Sequence, residues 1–206
     1  MCFYMQQKDS IPKVEKRFKA IVRQPESFLQ ADVINAFEHK CSPIILNTNP
    51  KEIVTNFQWG LIPNWAKDTS IQQQTINARM ETVTERPSFS NIIHQRCLVI
   101  ATAFYEWRWL DEKGKSKQKY IIYGEEELFA MAGLYSFWRN PANGEPKNSF
   151  TILTTEANET MAYVHNHKKR MPVVLKKEDE SAWLDAQNKI EAFAFPYSSN
   201  LLAFPV

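Results

Sequence analysis

The 206 residues, 44% hydrophobic and 13% aromatic, suffice for one domain (1–206) with a sizeable core and are too apolar for a disordered chain. A net charge of +2 neither demands nor excludes a nucleic-acid partner, so any contact with DNA has to come from local clusters of Lys and Arg. No apolar run approaches the roughly 20 residues of a membrane span, no secretory signal opens the chain, and Cys2, Cys41 and Cys97 show no disulfide or CxxC spacing; a cytoplasmic location is expected.

In chain order, short helices are expected at 14–19 and 31–39. Strands follow at 44–46 and 54–59, where β-branched and aromatic residues concentrate between Asn, Pro and Gly. A helix is expected at 86–95, then strands at 98–104, 120–123, 128–134 and 150–154, with helices at 156–164 and 178–186. Lys113-Gly114 and Asn143-Gly144 read as turns between strands, the second being the stronger hairpin signal. The strands do not alternate regularly with helices, which argues against a parallel βαβ sheet. The expected class is α+β, with a curved, barrel-like, largely antiparallel sheet flanked by helices.

Four segments carry residues suited to chemistry. Cys2 follows an initiator Met1 whose removal a small second residue permits, which would leave an α-amine and a thiol on adjacent carbons. Those groups titrate near 8 and 8.5, so both have reactive forms at neutral pH. Together they suit condensation with an aldehyde: the amine forms an imine and the thiolate closes a five-membered thiazolidine, intramolecularly. Asn77 and Arg79 point the same way on an extended backbone, so an amide could orient a nucleophile while a guanidinium holds a phosphate. Glu106, between Tyr105 and Trp107 at the end of an apolar run, is a candidate for a pKa raised by desolvation and for proton donation. His165 and His167 lie in a polar turn before Met171-Pro172; histidine is the usual proton carrier near neutrality. Their spacing also resembles a metal pair, but no matching Cys or acidic cluster accompanies it, and no metal or cofactor is expected. Lys168-Lys169-Arg170, with Arg79, Arg86 and Arg96, forms the candidate basic cluster, whose plain alternative is a solvated face. His39 and His94 are assigned no role.

Met1-Cys2, Trp59-Gly60-Leu61-Ile62-Pro63-x-Trp65, Asn77-Ala78-Arg79-x-Glu81, Arg96-Cys97-Leu98 leading to Phe104-Tyr105-Glu106-Trp107, Ala132-Gly133-Leu134-Tyr135 and His165…Arg170-Met171-Pro172 occur in one order. This arrangement resembles the SRAP family, the SOS-response-associated peptidase or abasic site processing domain, over nearly the whole chain. The resemblance implies a barrel-like α+β fold with a positive channel for single-stranded DNA. It also implies a thiazolidine crosslink between the N-terminal cysteine and the ring-opened abasic deoxyribose. It carries the nucleophile to Cys2, the orienting amide to Asn77, the acid/base carboxylate to Glu106 and the histidine to His165. The implied DNA contacts are Arg79, Trp107, Thr154 and Arg170. No cofactor is implied, and a monomer acting on single-stranded DNA with abasic sites is expected. A cysteine peptidase using Cys2 on an acyl group, and a non-catalytic DNA-binding module, are the other classes. Two departures stand out. Phe3-Tyr4 replaces the family's Gly-Arg, removing a DNA-contacting Arg and leaving Tyr4 either to stack on a base or to pack. The segment from His165 to Arg170 is longer than the family's His-x-Arg, which leaves His167 as an alternative to His165.

Overall fold

A computed structural model describes residues 2–206; the expected removal of Met1 lies outside the described residues. The strands are β1 (Tyr4–Gln7), β2 (Ile21–Val22), β3 (Ala31–Asn35), β4 (Cys41–Leu46), β5 (Glu52–Trp59), β6 (Asn77–Arg79), β7 (Arg96–Ala101), β8 (Ala103–Trp109), β9 (Lys117–Gly124), β10 (Phe129–Arg139), β11 (Pro146–Glu156), β12 (Arg170–Pro172) and β13 (Leu201–Pro205). The helices are α1 (Ile11–Phe18), α2 (Glu159–Val164) and α3 (Glu180–Leu184), joined by several single 3₁₀ turns.

Two sheets organise the chain. One has the order β13-β9-β8-β1-β3. The other runs β11-β10-β7-β4-β5, and β5 pairs back onto β11, which closes those five strands into a barrel. Four of its joints are antiparallel and the closing joint is parallel. The expected α+β class with a curved, largely antiparallel sheet is therefore observed.

The apolar run after Arg96 reads as continuous because both faces of its strand are covered. Cys97, Val99 and Ala101 enter a core shared with the five-stranded sheet, whereas Leu98 and Ile100 enter a second core built with Val14 of α1 and Trp183 of α3. Gly133 on β10 sits in a crowded part of the barrel wall: a Cβ there would lie 2.8 Å from Cys97 Sγ and 2.9 Å from the Thr151 carbonyl.

The single strand expected at 98–104 is two strands, broken at Thr102. There the chain leaves the barrel for the other sheet, and Thr102 is tied to Gln6 through its N–H (2.8 Å) and its hydroxyl (3.0 Å to Oε1). The expected helix at 31–39 is β3 followed by one 3₁₀ turn (Ala36–Glu38), because Ile34 and Asn35 pair with β1. The expected helix at 86–95 is turns with one 3₁₀ turn (Ser90–Ile92). Pro87 has no N–H to continue a helix and disfavours helical backbone at Arg86. Both glycine turns are present: Gly114 lies between β8 and β9 at φ 64, and Gly144 between β10 and β11 at φ 75.

Candidate active site

Cys2 lies just ahead of β1 and is fully buried, with its thiol 3.8 Å from the Tyr4 carbonyl. Asn77 opens β6, whose parallel pairing with β11 sets it opposite Ile152. Its Nδ2 donates to the Cys2 carbonyl at 2.9 Å, so the amide grips the backbone of the nucleophile's own residue. Its buried Oδ1 has no hydrogen-bond partner among the described residues, leaving an acceptor available beside Cys2. Burial pushes the Cys2 thiol well above its ordinary value, and the negative charge of nearby Glu106 pushes it the same way. The resting thiol therefore keeps its proton.

Glu106 shares the inward face of β8 with Phe104, while Tyr105 and Trp107 alternate to the other face. Burial raises its carboxyl above the usual range, as expected for a proton donor. His165 ends α2, a helix started by the Asn158 side chain accepting from the Met161 N–H at 2.9 Å. Its Nδ1 lies 3.1 Å from the Arg170 N–H and 3.0 Å from the Arg170 carbonyl, and its Nε2 lies 4.0 Å from Glu106 Oε2. Burial lowers its pKa to about 4, so the ring is neutral at physiological pH and can accept a proton. Between His165 and His167 the geometry favours the first: His167 is exposed and stacks on Trp109, ring centroids 3.7 Å apart.

The four residues assigned to DNA part company. Arg79, exposed at the end of β6, lines an open cleft of about 480 Å³ together with Trp65, Thr75, Asn77, Arg86 and Phe89. That cleft reaches the amide that holds Cys2. Trp107 is half-buried on the outer face of β8, 5.0 Å from Tyr4 in an edge-to-face pair, so Tyr4 packs on Trp107. Thr154 and Arg170 lie inside. The Thr154 hydroxyl donates to the Ala78 carbonyl (3.3 Å) and has no exposure. Arg170 is 7% exposed and forms a bidentate pair with Glu81 (2.7 and 2.9 Å), while its Nη2 also reaches the Thr154 carbonyl at 2.8 Å. A guanidinium so occupied ties β12 to the turn after β6; it does not present itself to a phosphate. Arg96 leaves the basic cluster as well, buried and donating to the carbonyls of Trp183, Asp185 and Asn188.

Sequence reasoning missed Glu81 as the partner of Arg170, although it stands two residues beyond Arg79 in the same motif, an acid placed among basic residues. It also missed Trp65 and Arg86 as walls of the cleft.

Fold and side chains together define a domain in which a buried cysteine near the start of the chain is gripped by an amide and faces a carboxylate–imidazole pair at the joint of a barrel and a second sheet. The sequence profile of the SOS response associated peptidase (SRAP) family matches residues 1–206, and the chain belongs to that family. Among its relatives, the abasic site processing protein YoqW of Bacillus subtilis (strain 168) is 40% identical over 161 residues, 76% of this chain and 70% of the relative. The abasic site processing protein HMCES of Gallus gallus is 32% identical over 160 residues, 66% of this chain and 46% of that protein. A crystal structure of a Bacteroides thetaiotaomicron protein superposes with a TM-score of 0.89 at 32% identity, covering 100% of this chain and 92% of the other. Among the described residues, no helix is long and apolar enough to cross a membrane.

Proposed function

We propose that this protein captures abasic sites in single-stranded DNA covalently, through Cys2 after Met1 has been removed. The observation that carries the reading is Cys2, held by Asn77 and facing Glu106, whose carboxylate lies beside the His165 imidazole. The names of the relatives supply the substrate class. Glu106 protonates the ring oxygen of the abasic sugar, the hemiacetal opens, and the aldehyde carbon at C1′ is exposed. The Cys2 amine adds to that carbon, and the carbinolamine loses water to give the imine. The thiol proton passes to a neighbouring base and the sulfur closes on the imine carbon, forming the C–S bond of the thiazolidine. One aldehyde and one aminothiol give one ring and one water, so no electrons have to enter or leave. Neutral His165 relays protons in both directions, and the Asn77 Oδ1 accepts from the attacking amine. Arg79 contacts a flanking phosphate and Trp107 stacks on a base, while Thr154 and Arg170 support the strand that carries Asn77. All these residues come from one copy of the chain, which suits a monomer, and a free thiol suits a reducing cytoplasm.

The test is a single-stranded oligonucleotide with one abasic site, mixed with protein whose mass confirms the loss of Met1. A heat-stable shifted band on a denaturing gel is expected for the wild type and no stable band for Cys2→Ser, which keeps its single-strand binding. An adduct of wild-type yield and stability from Cys2→Ser would overturn the thiazolidine reading. Cleavage of peptides without crosslinking would turn it toward hydrolysis.

A further inference from the structure

We infer that Asn166, His167 and Trp109 form a clamp that positions His165 against Glu106, a device made possible by the longer segment between His165 and Arg170. The first half of the clamp is backbone mimicry. The Trp109 N–H donates to Asn166 Oδ1 at 3.0 Å, and Asn166 Nδ2 donates to the Trp109 carbonyl at 2.9 Å. A primary amide carries the same donor and acceptor as a peptide group. The exchange of two bonds is the pattern of a hydrogen-bonded pair in an antiparallel ladder. Among the described residues no strand pairs with this edge of β8 at Trp109. Its neighbour β1 pairs only as far as Tyr4 opposite Tyr105, whereas β9 continues along the other edge to Lys117 opposite Trp109. Asn166 thus supplies a backbone-like partner on that edge, four residues along β8 from the last pairing with β1.

The second half is a stack. The His167 ring lies on the Trp109 indole at 3.7 Å with an interplanar angle of 10°. The indole is itself braced by the hairpin turn, since a Cβ on Gly114 would fall 2.5 Å from its ring. The loop is closed on its far side by the Lys169 N–H donating to the His165 carbonyl at 2.8 Å, with Lys169 at φ 48.

The covalent spacing makes the clamp act on the site. Glu106 and Trp109 stand three residues apart on one strand, and His165 directly precedes Asn166 on the loop. Fixing Asn166 to Trp109 therefore fixes the separation of His165 from Glu106, at 4.0 Å. A buried imidazole contributes to proton transfer only when it is held near its partner, and displacement by about 1 Å can cost on the order of 100-fold in rate. Asn166, His167 and Trp109 are positioning residues: they act through His165 and make no contact with the reacting atoms.

The consequence for rate rests on the crosslinking reading, but the placement of His165 does not, and the experiment separates the two. The imidazole of His165 is titrated by NMR in the wild type, in the Asn166→Ala/His167→Ala double variant and in His167→Phe, and crosslinking is followed against pH in the same proteins. Besides the positive charge of the chain's N-terminal amine, the groups of the described residues facing the ring include Glu106 from β8, Lys168 and His167 from its own loop, and the Arg170 main chain. In the wild type, where burial lowers its pKa, His165 is expected to titrate at about 4. In the double variant its midpoint is expected to climb toward the ordinary 6.5 as water reaches the ring. Crosslinking at pH 7 falls about ten- to hundredfold, and its pH profile moves with the midpoint. Single-strand binding is unchanged. His167→Phe keeps a flat ring on Trp109 and is expected to match the wild type on both readouts. An unmoved His165 midpoint in the double variant refutes the clamp. If that variant does not fold, His167→Ala against His167→Phe decides on the same measurement. A wild type that gives no crosslink, with a His165 midpoint that still moves in the variant, would sink the proposed function and leave the clamp standing.

Discussion

Replacing Glu81 by Ala tests whether Arg170 belongs to the internal framework. In the folded protein Arg170 is nearly inaccessible and receives two of its contacts from Glu81, at 2.7 and 2.9 Å. After the substitution Nη2 keeps the Thr154 carbonyl and hydroxyl at 2.8 and 3.2 Å, but Nη1 loses its partner and the buried cation its counter-charge. Breaking a fully buried pair costs about 3–5 kcal/mol. The Glu81 side chain is 36% exposed, so water and salt screen this one, and the discounted cost is about 2 kcal/mol. At about 2–4 °C per kcal/mol for a chain of this size, the melting temperature at pH 7 drops by about 4–8 °C. The pH dependence has a definite sign. Partial burial pushes the Glu81 carboxyl up, but the Arg170 pair outweighs it and holds the group below its ordinary 4.5. A depressed pKa contributes stability that is fully present above 4.5 and is lost as pH falls through the folded value. Melting followed by circular dichroism from pH 7 to pH 3 should therefore show the two proteins converging below about 4.5. A difference under 1 °C at pH 7 (roughly 0.3 kcal/mol), or a gap that stays constant down to pH 3, refutes the argument.

Three further outcomes are expected. Glu106→Gln slows capture of the closed abasic sugar by about 10²–10⁴-fold and leaves reaction with a simple aldehyde nearly normal, since only the closed ring needs a proton to open; equal slowing of both in parallel rate assays would assign Glu106 to the cysteine or the fold. Arg79→Ala lowers the salt slope of single-strand binding by about 0.7, whereas Thr154→Val leaves that slope alone because its hydroxyl faces the Ala78 carbonyl; titrations at several salt concentrations check both. Gly133→Ala, by forcing a methyl group against Cys97 and Thr151 in the barrel wall, destabilises by about 1–3 kcal/mol in urea unfolding, and a neutral result would mean the wall can yield.

Much of the fold was legible because β-branched and aromatic runs between turn residues point to strands whichever sheet they join. Where the sequence misled, a contact distant in the chain decided. Residues 31–35 carry a spacing that suits a helix, yet pairing with β1 draws them into a strand. The three groups around the nucleophile could be named from their motifs, because the chemistry limits the choice to an amide, a carboxylate and an imidazole. How they meet could not be read. That Asn77 grips the Cys2 carbonyl depends on the register of β6 against β11. Arg170 and Thr154 show the limit most plainly. A guanidinium suits a phosphate or an internal carboxylate equally well, and only the fold brings Glu81 within reach of Arg170.

The parallel seam between β5 and β11 joins Phe57 to Asn148, and β6 docks on the same strand immediately beyond it. Contacts so distant in sequence carry a large loop-closure entropy and form late in folding. Until β11 has been synthesised and seated, Asn77 has no strand to hold it and Cys2 lacks its restraint. A nascent or partly unfolded chain thus carries Cys2 without the amide that holds it, and under the proposed function directed capture is acquired only with barrel closure.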